Sequence, residues 1–216
     1  MKAEYIEKLR ELGFAADFVA RVPGLAFDTD RERAVQALLP SHQTAIRALG
    51  FEVSAMCTAE QVHGAGVAIV RHDGPRHFDG VDGLITNCPN LALSIYVADC
   101  GAVYIVDPVQ GAMGLVHSGK KGSELGILEV AVRMMAEEFG SNPADMVVSL
   151  APCIRPPAYE IDFAAQIRAS AESIGVKCFI DSGVCTSSDL SQYYSYRVEQ
   201  GATGRMLAIL GKIKDA

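Results

Sequence analysis

The sequence contains no tryptophan, only five histidines and no apolar run long enough to cross a bilayer. Its longest apolar stretch, Leu91 to Val97, is broken by Ser94 and falls far short of the roughly 20 residues of a spanning helix. A signal-like leader is missing too, because Met1 to Arg10 alternates charged and apolar residues with helical spacing. Basic charge is scarce: 19 Lys and Arg stand against 26 Asp and Glu, a formal net charge of -7. Nucleic-acid binders usually carry a basic excess, so neither nucleic acid nor membrane is an expected partner, and the protein reads as cytoplasmic. None of the six cysteines forms a CxxC pair, which weakens zinc-ribbon and thioredoxin readings. Without a sign of secretion, most of them are expected to be free, buried, small hydrophobes.

What is present is core material. Half of the 216 residues are hydrophobic and 21% are charged, a balance that excludes disorder and suffices for a sizeable core. Helical spacing covers residues 3–12 and 31–49, with Gly50 as the stop signal of the second helix. Six short β-branched runs follow: Val53–Cys57, Val67–Val70, Gly83–Thr86, Leu91–Val97, Ala102–Asp107 and Ala112–Val116. Turn signals separate them, so they predict a β-rich central sheet. Glu124–Phe139 carries an apolar stripe at helical spacing. A strand at Met146–Leu150, a helix at Phe163–Ile174, a strand at Lys177–Ile180 and a helix near Ser188–Glu199 complete the pattern. With no linker, composition shift or repeat, residues 1–216 predict one α/β (α+β) domain of mixed sheets flanked by helices.

Three of the histidines, His42, His72 and His77, lie in polar or charged surroundings and predict solvated surface. His63 and His117 stand at strand ends beside glycines, in Gln61-Val62-His63-Gly64 and in His117-Ser118-Gly119-Lys120-Lys121-Gly122. Such loops build sites, although a turn histidine bonded to backbone has the same appearance. Cys100 follows Ala98-Asp99 at another strand boundary. Two imidazoles and a thiolate suit a tetrahedral zinc site with one open position, and they also suit copper. Alternatively, Cys100 is a nucleophile activated by one histidine and oriented by the other. The Gly119–Ser123 segment joins a strand to a helix, so its backbone N–H groups with Lys120 and Lys121 could hold an anion. Equally, the glycines serve only the turn and the lysines are solvated.

Taken in order, several motifs resemble one family. They are Gln61-Val62-His63-Gly64, Asp82-Gly83-Leu84-Ile85-Thr86, Ala98-Asp99-Cys100, Val106-Asp107-Pro108 and His117-Ser118-Gly119. Ala151-Pro152-Cys153-Ile154, Tyr159-Glu160-Ile161, Cys185-Thr186, Tyr193-Tyr194-Ser195-Tyr196-Arg197 and Gly204-Arg205-Met206 continue the series. The set resembles the polyphenol oxidase or laccase-domain family, whose members are also described as purine nucleoside phosphorylases and peptidoglycan editing factors. The likeness runs from about residue 60 to 210, leaving a divergent N-terminal part, 1–59.

The resemblance implies a layered α/β domain distantly similar to the Cys–His toxin deamidases. It implies a metal, usually zinc, on His63, Cys100 and His117, and phosphorolysis of adenosine, inosine and methylthioadenosine with adenosine deamination alongside. Copper-dependent phenol oxidation is also attached to the family name. Within that chemistry, Lys120, Lys121, Arg197 and Arg205 are candidate anion binders. Asp99, counted with Cys100, His63 and His117 as a catalytic candidate, and Glu160, counted with the substrate-binding candidates, are the carboxylates available to act as a base or to orient a ligand, although capping or ordinary ion pairing would account for both equally well. The expected partners are a purine nucleoside and phosphate. Two other classes stay open: a Cys–His hydrolase, including one editing peptidoglycan precursors, and a non-catalytic nucleoside-binding descendant. One departure is sharp. Where the family reads His-Ala-Gly-Trp-Arg-Gly, this chain has His117-Ser118-Gly119-Lys120-Lys121-Gly122, and lysine does not reproduce arginine's two-pronged grip.

Overall fold

The architecture follows from how each strand distributes its residues between two faces. In the computed structural model, which describes residues 4–214, eleven strands form two mixed sheets. The first sheet has the order β1 (Ala15–Val19), β11 (Met206–Gly211), β6 (Ala92–Val97), β2 (Met56–Ala59), β4 (His77–Phe78). The second has β10 (Cys178–Asp181), β9 (Val147–Leu150), β7 (Gly101–Asp107), β8 (Ala112–Ser118), β5 (Gly83–Thr86), β3 (Val67–Ile69). The expected α/β class is therefore present, but the anticipated single central sheet is two.

Period-two alternation explains the layering. Leu93, Ile95 and Val97 of β6 share one cluster with Tyr104 and Val106 of β7 and Met113 and Leu115 of β8, which fills the space between the sheets. Opposite-parity residues serve the outer faces. Ala92 and Tyr96 pack with Ile46 of α2 (Arg31–Ala48) on one side. Val103, Ile105 and Val116 pack with α4 (Ile127–Phe139) and α5 (Phe163–Ser173) on the other. Buried on both faces, these strands read as nearly continuous apolar runs, and that is why the sequence exposes them so clearly. Helix α1 (Glu4–Glu11) adds Tyr5, Ile6 and Leu9 to the inner cluster; residue 3 of the expected 3–12 helix lies outside the described residues.

Several expectations change. Val53–Ala55 is a single 3-10 turn, so its strand starts only at Met56. The helix expected from Glu124 is two helices, α3 (Lys120–Glu124) and α4, divided at Gly126 with φ +72°. No helix spans Ser188–Glu199. That segment is a chain of turns, because Asp189 accepts from the Ser191 backbone and Glu199 accepts from the Ser195 backbone. Side chains that capture nearby N–H groups compete with helical bonding. Strands β1, β4 and β11 were not anticipated.

His42 is not surface. It is fully buried in the middle of α2, on the stripe Ala34, Leu38, His42, Ile46, and its ring lies 5.6 Å from that of Tyr96. Among the cysteines, all free, only Cys57 and Cys153 are buried. No described helix is long and apolar enough to cross a membrane.

Candidate metal centre

Strand register assembles the site. In the β7–β8 pair Gly101 lies opposite Ser118 and Ala102 opposite His117, so Cys100, one step before β7, meets Gly119. In the β5–β8 pair Gly83 faces Val116, and the next step sets Asp82 beside His117, whose backbone N–H donates to the Asp82 carbonyl at 2.7 Å. His63 arrives on the loop between β2 and β3. The donor atoms of His63, Cys100 and His117 all lie within 4.8 Å of one another. The two imidazole rings meet edge to face, 4.8 Å between centroids.

Asp82 organises two of the three. One carboxylate oxygen accepts from His117 Nδ1 at 2.8 Å and from the His63 backbone N–H at 2.9 Å. The other accepts from the backbone N–H groups of Val62 and Gly64, at 3.1 and 2.7 Å. Bonding through Nδ1 leaves His117 Nε2 as its free ligand atom, the arrangement that metal-binding histidines usually show. The same bonds hold a strained loop, since Gln61 and His63 have φ of +64° and +60°. The Gln61 side chain anchors the other end of that loop by accepting from the Tyr96 N–H. In sequence Asp82 belongs to the Asp82-Gly83-Leu84-Ile85-Thr86 motif and carries no mark of a site residue. Its one sequence signal is an acid directly before an apolar strand.

Proximity also sets the protonation chemistry. Burial opposes ionisation of Cys100, yet the imidazoles of His117 and His63 outweigh it and hold the thiol down at about 6. Burial likewise opposes charge on His117, while Asp82 and Cys100 outweigh it and raise that imidazole to about 9. Burial would push Asp82 up, but His117 and the backbone donors of Gly64 and His63 keep its carboxyl below the usual range. Readily ionised sulfur beside two imidazoles is a donor set that fits zinc or copper. Gly119 is required by this packing, because a Cβ there would lie 2.5 Å from Cys100 Sγ.

The cluster opens into a cavity of about 800 Å³. Its wall includes Tyr96, Tyr159, Phe163 and Tyr196 with Lys120, Arg197 and Arg205, as well as Arg31, which the sequence did not single out. The expected residues divide as follows. Asp99 lines the cavity, but its carboxylate is already used by Thr186 Oγ1 at 2.7 Å, Ser195 Oγ at 3.1 Å and the Arg197 N–H at 2.7 Å. It ties the turn-rich 186–197 segment to the backbone beside Cys100. Arg197 reaches the cavity but is paired with Glu160 at 2.9 Å. Glu160 and Lys121 are not on the cavity wall.

This is an α/β protein with, among the described residues, one candidate His–Cys–His metal centre at the foot of an aromatic and cationic cavity. The chain belongs to the multi-copper polyphenol oxidoreductase laccase family, whose profile matches residues 23–169 and 160–212. The match reaches further into the N-terminal part than the motifs suggested. A relative from Streptomyces coelicolor, named a purine nucleoside phosphorylase, is 31% identical over 79% of this chain and 80% of its own. Another so named, from Deinococcus radiodurans, is also 31% identical, over 87% and 82%. In structure the chain resembles the hypothetical protein YfiH of Bacillus licheniformis, with TM-score 0.85 and 25% identity over 96% and 95% of the two chains. It also resembles YlmD of Geobacillus stearothermophilus, with TM-score 0.80 and 24% identity over 94% and 93%.

Proposed function

We propose that this chain is a zinc-dependent, cytoplasmic, purine nucleoside-processing enzyme. It acts as one domain and catalyses phosphorolysis of adenosine, inosine and methylthioadenosine, with adenosine deamination as a second activity. The observation that carries the reading is the convergence of His63, Cys100 and His117 at the foot of a cavity with aromatic and cationic walls. The names of the two relatives point the same way.

The residues divide the work. Flat rings such as Tyr96, Tyr159 and Tyr196 suit stacking against a purine and exclude water from the glycosidic bond. Lys120, Arg205 and Arg197 supply positive charge for the phosphate, with Lys121 adding to the field from outside the wall and Glu160 restraining Arg197. In phosphorolysis a phosphate oxygen bonds to C1′ as the C1′–N9 bond breaks. The electron pair leaves with the purine, which takes up a proton. Asp99 contributes by holding the cavity wall beside Cys100. A zinc ion on His63, Cys100 and His117, with copper as the other occupant the donors accept, would supply a bound water of lowered pKa for deamination.

The test is incubation of zinc-loaded protein with adenosine or inosine, with and without phosphate. Free base plus sugar 1-phosphate, formed only with phosphate and lost in Cys100→Ser, is expected. Failure of the zinc-loaded protein to consume any of the three nucleosides would sink the proposal. Amide hydrolysis that survives complete metal removal would instead identify a Cys–His hydrolase.

A further inference from the structure

Seven of the twelve arginines in this acidic chain are paired with carboxylates. Arg10, Arg21, Arg33, Arg71, Arg133, Arg155 and Arg197 each have a carboxylate within ion-pair distance. Arg31 and Arg205 both line the cavity, and neither has such a partner among the described residues.

Their placements differ and converge. Arg31 is the first residue of α2, where the helix dipole disfavours a cation, so helix stability does not account for it. Its side chain has no hydrogen-bond partner among the described residues. Arg205 stands just before β11, with Nη1 held by the Thr203 and Gly204 carbonyls at 3.0 and 2.9 Å. Its guanidinium carbon lies 5.9 Å from the centre of the Tyr196 ring. Those bonds fix the orientation of the fork and leave Nε and Nη2 without a protein acceptor among the described residues. One nearby carboxylate, Asp99, is already satisfied by Thr186, Ser195 and the Arg197 backbone.

We propose that Arg31 and Arg205 form a two-arginine site for one phosphate group, on the cavity side built by α2 and the turn before β11. Arginine's planar fork matches phosphate oxygens, and a dianion would balance two charges that the protein itself leaves unbalanced. Burial, and then the charge of Arg31, depress the pKa of Arg205, as two cations sharing a partly desolvated wall should. Arg31 comes from the N-terminal part of the chain and Arg205 from the Gly204-Arg205-Met206 motif near its other end. The ligand's source is either inorganic phosphate, the co-substrate of phosphorolysis, or a phosphate ester on the nucleoside. The first source rests on the proposed function; the binding itself does not.

The experiment measures thermal stabilisation of zinc-loaded protein by inorganic phosphate at constant ionic strength, and then the KM for phosphate with adenosine. Arg31→Ala and Arg31→Glu change an exposed side chain at a helix start, so both should fold. Arg33→Ala removes the same charge two residues away and is the control. Expected is a phosphate-dependent rise in melting temperature in wild type and Arg33→Ala that needs at least tenfold more phosphate in Arg31→Ala and vanishes in Arg31→Glu. Where phosphorolysis is measurable, the KM for phosphate should rise at least tenfold in Arg31→Ala while phosphate-independent deamination persists. Competition between adenosine 5′-monophosphate and inorganic phosphate, with cleavage of the nucleotide, would assign the ester as the source. Loss of the phosphate response in the Arg31 variants without any nucleoside turnover would uphold this site and remove the proposed function. Equal phosphate dependence in wild type and both Arg31 variants would overturn the site whatever the turnover.

Discussion

Asp82→Asn is the most informative single change, because it preserves shape and removes one acceptor oxygen. Each oxygen of Asp82 accepts two hydrogen bonds: one serves His117 Nδ1 and the His63 N–H, the other the N–H groups of Val62 and Gly64. An amide NH2 cannot accept, so either orientation of the asparagine loses two bonds and faces donors with a donor. At ~1.5 kcal/mol for each charge-assisted bond the loss is about 3 kcal/mol. For a chain of this size that lowers the melting temperature by roughly 6–12 °C. A second effect is separable from the first. With Nδ1 no longer fixed, the His117 ring loses its orientation, and zinc affinity should fall by about 10- to 100-fold. Thermal denaturation of metal-free protein reads the first effect, and zinc competition with a chromogenic chelator reads the second. A variant that melts with wild type and competes for zinc equally well would refute the role assigned to Asp82.

Other consequences follow from buried groups. Burial holds His42 down at about 4, below its ordinary 6.5. The unfolded chain therefore takes up this proton first, so the contribution is intact above pH 6.5 and is lost as pH falls towards 4, by about 3 kcal/mol in all. His42→Phe keeps an aromatic ring against Tyr96, and its stability should fall less steeply than wild type from pH 6.5 to 4 in denaturant titrations; parallel curves would contradict the assignment. Gly119→Ala has an ordinary backbone, φ -100°, but drives its Cβ to 2.5 Å from Cys100 Sγ. The thiol must swing away, so bound zinc should drop well below wild type by elemental analysis at a stability cost of roughly 1–3 kcal/mol. Full zinc occupancy would show that the close approach does not constrain the sulfur.

The strands β5 to β8 were legible because each is buried on both faces, which writes them as apolar runs such as Leu91–Val97 and Ala102–Asp107. Helix α2 is equally legible in extent, but its fourth-residue stripe of Ala34, Leu38, His42 and Ile46 is interrupted in sequence by a polar residue, which hides the burial of His42. The 188–199 segment misled in the opposite direction, since its helical spacing gave way to side chains that bond the backbone locally.

Residue identity and order alone picked out His63, Cys100 and His117, because few other residues offer imidazole or thiolate beside glycines at strand ends. Only tertiary structure decided what surrounds them. Asp82 became their organiser because antiparallel β5–β8 register sets it beside His117, 35 positions away, while the β2–β3 loop brings His63, 19 positions away, onto the same carboxylate. Asp99 became a fastener when the 186–197 segment folded back over it. The tryptophan-free loop Lys120-Lys121 turned out to place only Lys120 on the cavity wall, whereas Arg31, unremarkable in sequence, reaches that wall from the start of α2. A side chain's chemistry is local to its residue, but its partners are set by register and packing, and those exist only once the sheets have closed.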